Sequence, residues 1–139
     1  MDISSILSNI GVLFTDPMLI LLLVAGVFLG MYVGAIPGLS ATMAVSLLIS
    51  FTYSWDVLPA LALMMGVHVG GCYGGSRSAI LINIPGAPSA IATAFDGYPL
   101  SKQGKAAQAI SITVVQSVVG GLIGCVFLTF ATPLVAKVA

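Results

Sequence analysis

Charge is what this sequence has least of. Its 139 residues hold four acidic and four basic side chains, every acid is an Asp, and 59% of the chain is hydrophobic. Soluble domains carry charge on roughly a quarter of their residues, so this chain cannot coat a water-facing surface. Its natural solvent is lipid. The balance of charge, with no cluster of Lys or Arg, excludes a phosphate-backbone partner, so no nucleic acid is expected. The only two cysteines, Cys72 and Cys125, sit in apolar runs and form neither a zinc spacing nor a disulfide framework. A basic stretch near Met1 is also missing, which argues against a cleaved secretory signal, and the start reads as mature protein.

What is present is long uncharged sequence. No Asp, Lys or Arg occurs in 17–55, 57–76, 78–95 or 106–136. A helix crosses the ~30 Å hydrocarbon layer with ~20 apolar residues, so the lipid bilayer is the first partner and several passes are available. The expected fold class is all-α: a polytopic membrane protein with about three long transmembrane helices plus broken or re-entrant helical segments. Residues 1–15 stand apart as an interfacial amphipathic helix. There Ile3, Ile6, Leu7, Ile10, Leu13 and Phe14 share one face and Ser and Asn the other. Residues 16–139 form the transmembrane domain.

Asp16-Pro17 opens the first span, with Asp as N-cap and Pro at the first helical position. Asp56-Val57-Leu58-Pro59 opens the second, expected to run to about Gly75, beside the boundary aromatics Phe51, Tyr53 and Trp55. Residues 95–105, with Asp96, Lys102 and Lys105, read as the most water-like loop. Ala106 begins a last long span to about Ala131, in which Ser117, Gly120, Gly121 and Gly124 form a small-residue stripe for helix packing.

Two places do not read as plain spans. At Ile36-Pro37-Gly38 a helix must break, and Ser40 can cap a new one to about Thr52, only ~18 Å long. The flanks are apolar, so the break is placed inside the membrane; a tight surface hairpin is the competing reading. Ile84-Pro85-Gly86 repeats the pattern, followed by Ser89 and Thr93. Short helices starting at both breaks would aim unpaired N–H groups at one place, as the broken helices of transporters do. Between the breaks, Gly66, Gly70 and Gly74 form a stripe read as close helix packing. The run lacks the Gly-Lys-Ser/Thr ending of a phosphate loop. His68 with Cys72 is two ligands short of a metal site, and His68 with Ser76 lacks the third group of a hydrolase. Arg77 either snorkels to headgroups or serves as an anion partner.

The combination of Gly34-Ala35-Ile36-Pro37-Gly38 with Thr42, Tyr73-Gly74-Gly75-Ser76, Asn83-Ile84-Pro85-Gly86-Ala87-Pro88 and Asp96-Gly97-Tyr98-Pro99 resembles the amino-terminal region of the large membrane subunit of tripartite tricarboxylate transporters (TctA-type). The resemblance runs from about residue 17 to the end. It implies a bacterial inner-membrane secondary transporter, driven by an ion gradient and working with a small membrane subunit and a periplasmic solute-binding protein. The implied substrate is a tri- or dicarboxylate. Members of the family are several times longer, so this chain is expected to be an amino-terminal piece, one part of an inverted-repeat transporter whose carboxy-terminal half lies elsewhere. The expected substrate- or ion-binding residues are Pro37, Gly38, Ser40, Thr42, Asn83, Pro85, Gly86, Ser89 and Thr93. Carbonyls near Pro37 and Pro85 would suit a coupling Na⁺; H⁺ coupling stays open, no other cofactor is expected, and no residue calls for covalent chemistry, so this is not an enzyme. Two alternatives stand beside this reading: a self-contained small transporter or channel working as a homo-oligomer through its glycine stripes, and a non-transporting structural membrane subunit.

Overall fold

The computed structural model describes Gly11 and residues 15–135, and the expected interfacial helix at 1–15 lies outside them but for Gly11 and Thr15. Five helices follow in order: α1 (Pro17–Ala35), α2 (Ala41–Phe51), α3 (Val57–Ile82), α4 (Ile91–Lys102) and α5 (Ala106–Val135), with a 3₁₀ turn at Pro88–Ala90 before α4. There is no strand among the described residues. α1, α3 and residues 106–129 of α5 are long and apolar enough to cross a membrane. The chain is an all-α, multi-pass membrane protein.

Local chemistry explains the helix ends. Asp16 accepts a hydrogen bond from the N–H of Met18 at 2.9 Å, and Pro17 fills the first turn of α1. Asp56 is the N-cap of α3 without a side-chain bond. α3 does not stop near Gly75 but continues to Ile82, because Ser76–Ile82 contains no breaker, and it ends where Asn83 turns left-handed at φ 58. Arg77 is therefore inside a helix rather than at its end. The supposed loop at 95–105 is also mostly helix. Gly97 can enter α4 because it packs on Ile80, whose Cγ1 would lie 2.7 Å from an added Cβ. Only 103–105 turn: Gly104 sits at φ 77, its N–H donates to Ser101 O, and that of Lys105 donates to Leu100 O, the Schellman arrangement.

The core is a glycine seam. An added Cβ at Gly26 would stand 2.5 Å from the Leu63 carbonyl oxygen, while at Gly30 and Gly34 it would fall on the carbonyls of Val67 and Gly71. From the other side, Gly66, Gly70 and Gly74 lie against the carbonyls of Leu23, Val27 and Met31. The numbers rise together, so α1 and α3 run parallel. Pro17 and Val57 stand equally far before the facing pair Gly26 and Gly66, and the two helices start at one level. Such a pair needs a return, and α2 provides it. Ala41, the first residue of α2, packs on Gly71, ~21 Å along α3 from Val57 at 1.5 Å per residue. The first interruption thus lies beside the middle of α3 rather than beyond its end.

The second interruption reaches the same level by dipping back. After Asn83 the chain descends until the Gly86 N–H donates to Gly75 O at 3.4 Å and Ala87 covers Gly75. The 3₁₀ turn follows, and α4 climbs again past Ile80. α5 then runs down alongside α4. Its apolar stretch is uncovered within the described residues, and nothing lies within 4 Å of a Cβ at Gly120, Gly121 or Gly124.

Glycine should therefore be needed in one place and dispensable in another. Gly30→Ala forces a methyl onto backbone and is expected to destabilise the helix pair by about 2–3 kcal/mol, whereas Gly121→Ala should leave it unchanged. Thermal unfolding of the two purified variants in the same detergent measures the difference.

Candidate functional site

The two interruptions share one cavity. Gly38 and Ser40 from the first, and Pro85, Gly86, Ala87 and Pro88 from the second, line an open hollow of about 370 Å³ together with Ile91. Gly38 holds φ 93, which side chains rarely adopt. Gly86 is pressed against Gly34 so closely that a Cβ would fall on the Gly34 carbonyl oxygen. Ser40 caps α2 as expected: its Oγ accepts from Met43 N–H at 3.2 Å and shares a hydrogen bond with Thr42 Oγ1 at 2.8 Å. The remaining first-turn N–H groups of α2 have no partner within the helix, and helix starts carry partial positive charge. α2 and α4 leave this level in opposite directions. No charged side chain lines the cavity.

A larger space, about 600 Å³, lies between α3, α4 and α5. Its polar wall consists of three rows at helical spacing: Cys72 and Ser76 on α3, Ser89, Thr93 and Asp96 along the 3₁₀ turn and α4, and Thr113, Gln116 and Ser117 on α5. The Ser76 hydroxyl donates to Cys72 O at 3.1 Å and that of Thr113 to Ile110 O at 2.7 Å. Asp96 is the one charged residue of this wall. A third space, about 500 Å³, opens in the outer groove of α1 and α3, where Arg77 stands with Tyr32 and Ser78. The Arg77 guanidinium lies 5.7 Å from the centre of the Tyr73 ring.

The expected site residues are thus divided. Gly38, Ser40, Pro85 and Gly86 meet in the smaller cavity, while Ser89 and Thr93 face the larger one. Ser89 does not cap α4; Ala90 holds that position with no side-chain bond. Pro37 is exposed in the turn, Thr42 is exposed beside Ser40, and Asn83 is an exposed left-handed helix end; none of the three lines either cavity. Arg77 lies in its own groove. Gly66, Gly70 and Gly74 form the seam with α1, and Gly120 and Gly124 have no neighbour among the described residues. His68 Nε2 and Cys72 Sγ are 3.9 Å apart, and no group of three metal-ligating side chains exists among the described residues.

Sequence reasoning missed Ser76, Asp96, Thr113 and Gln116 as cavity residues. A signal existed: Ser89, Thr93 and Asp96 recur at i, i+4 and i+7, as one helix face requires. Treating 95–105 as a loop hid it.

The chain is 38% identical over 114 residues to a protein of Agrobacterium vitis described as "Uncharacterized 52.8 kDa protein in TAR-I ttuC' 3'region". That alignment covers 82% of this chain and 23% of the relative, so the chain spans about a quarter of the length of the curated relative it matches. No solved structure matches it. Residues 20–139, which include both Pro-Gly interruptions and all three spanning helices, match the family described as "Tripartite tricarboxylate transporter TctA family". With its broken helices meeting beside the middle of α3 and the match running through every element from α1 onward, the chain belongs to the TctA family of tripartite tricarboxylate transporters.

Proposed function

We propose that this chain supplies one side of the carboxylate site of a secondary transporter in the bacterial inner membrane. The transporter is driven by an ion gradient, and a periplasmic solute-binding protein and a small membrane subunit work with it. The observation that carries this reading is the convergence of both Pro-Gly interruptions on one cavity of about 370 Å³ without an acidic side chain. The start of α2, whose Ser40 cap lines the cavity, attracts anions, and a di- or tricarboxylate presents several negative oxygens to it. Ser40 adds a hydroxyl at the wall, and Gly38 and Gly86 let the backbone approach the substrate closely. Pro37, Thr42 and Asn83 are left outside this site. The rest of the transporter, which in a TctA-type protein carries a related half, closes the cavity from the other side and gives the alternating access that one half lacks.

Orientation follows from Lys102 and Lys105, which place the α4–α5 turn in the cytoplasm by the positive-inside rule. Asp16 and Asp56, at the opposite level, then face the periplasm. The homo-oligomer alternative used the glycine stripes as contacts; the stripe at Gly66, Gly70 and Gly74 is occupied within the chain by α1, while Gly120, Gly121 and Gly124 have no neighbour among the described residues.

In the complete transporter, Ser40→Ala is expected to weaken carboxylate binding by about ten- to a hundredfold, since a hydrogen bond to a charged group contributes about 1.5–3 kcal/mol. Ser40→Thr, which keeps hydroxyl and cap, should bind nearly as wild type. Calorimetric titration of the purified proteins gives both values, and equal affinity in wild type and Ser40→Ala would remove this cavity from the substrate path. Vesicles holding only residues 1–139 are expected to show no uptake of labelled citrate; uptake there would refute the need for an opposing half.

A further inference from the structure

We propose that the outer groove of α1 and α3 binds an anionic phospholipid, with Arg77 on the headgroup phosphate and Phe28 and Met31 against the acyl chain. The groove shares no lining residue with either of the other two spaces, so this inference stands apart from the transport reading above.

Three observations carry it. The first is depth. Counted from the N-caps Asp16 and Asp56, which stand at one level, Arg77 lies ~31 Å along α3 at 1.5 Å per residue. The hydrocarbon layer is ~30 Å thick, so with both N-caps at one boundary Arg77 reaches the other, where lipid phosphates lie. Tyr32, exposed on α1, approaches the same boundary, as interfacial tyrosines do. The second observation is the lining. Arg77 is the one charged residue of a groove of about 500 Å³ that also holds Phe28, Met31 and Tyr32. Phe28 lies ~18 Å along α1 from Asp16, which is ~13 Å nearer the bilayer centre than Arg77. The groove is therefore positive at the headgroup level and apolar below it, as a phospholipid requires.

Third, the guanidinium is held but not neutralised. It sits over the Tyr73 ring, 5.7 Å from its centre, and a guanidinium stacked on a ring keeps its in-plane N–H donors for another partner. No acid lines the groove, and Asp96, the one described acid at this end of the molecule, lines the space between α3, α4 and α5 instead. A cation at the edge of the hydrocarbon calls for an anion. Phosphate oxygens match the guanidinium fork, and the bilayer supplies them at this depth, whereas a covering protein segment would have to bring an acid of its own. A zwitterionic lipid balances its phosphate with its own amine. An anionic lipid brings an uncompensated charge, and Arg77 is its complement.

The test uses the complete transporter in mild detergent, titrated with phosphatidylglycerol or phosphatidylcholine of equal acyl length, with bound lipid counted by native mass spectrometry. Wild type is expected to prefer phosphatidylglycerol about fivefold, the weight of one basic residue at an anionic surface. Arg77→Gln should erase that preference, and Arg77→Lys should keep part of it. Equal binding of the two lipids by wild type overturns the proposal, and needs no variant should Arg77→Gln fail to fold. So does a preference that survives in well-folded Arg77→Gln. Wild type that holds no phosphatidylglycerol, because another part of the transporter fills the groove, overturns it as well. Soluble glycerol phosphate that competes as strongly as the lipid would remove the acyl contact and with it the assignment. Arg77→Gln should bind citrate as wild type does; lost citrate affinity with lipid preference intact would give Arg77 to the substrate instead.

Discussion

Backbone-to-backbone contact between α1 and α3 sets the position of everything else. Apolar helices in lipid gain no hydrophobic energy by meeting, so they associate through close packing and polar bonds. Gly26, Gly30 and Gly34 on one side and Gly66, Gly70 and Gly74 on the other let the two backbones touch. The fit also dictates direction. Two parallel neighbours cannot be joined by a tight turn, so the chain must travel back along α3. α2, with 11 residues, is too short to retrace the whole of it. Hence the break before α2 falls beside the middle of α3, with Ile36, Pro37 and Gly38 exposed among the described residues; irregular backbone at that depth calls for protein or a cavity against it.

The adjoining face of α3 uses the same property for a second purpose. Gly71 receives Ala41 and Gly75 receives Ala87, which brings the starts of α2 and of the 3₁₀ turn to one level. Two neighbouring cavities result, and their linings differ. The smaller carries no charged side chain; its wall joins the Ser40 cap of α2 to the backbone of residues 85–88. The larger presents a carboxylate and hydroxyl oxygens whose protons are already held by carbonyls. The meeting of both interruptions at the smaller cavity, rather than any one residue, supports the proposed transport.

Much of this was legible in the sequence because it is local. Asp16-Pro17, Ser40 before Ala41 and the Pro-Gly dipeptides act within a turn or two of themselves, and the helices begin and break where these residues direct. Errors came where a distant neighbour intervened. Asp96-Gly97-Tyr98-Pro99 has the composition of a loop, yet Gly97 has Ile80 to pack against, and that contact carries α4 through to Lys102. Asn83, read as a ligand, also ends α3 through its tolerance of left-handed backbone.

The sequence alone determined that the chain lives in lipid, that it is helical, and where its helices start and break. Those properties follow from hydropathy and from the backbone limits of proline, glycine and capping side chains, all of short range. Tertiary structure decided which glycines face each other, that α1 and α3 run parallel, and that Ser40 shares a cavity with Pro85 and Gly86 while Asp96 faces Ser76 and Thr113. A stripe of glycine marks a helix face as approachable without specifying its partner. Only the closest fit among all the available faces, a property of the whole packed chain, makes that choice.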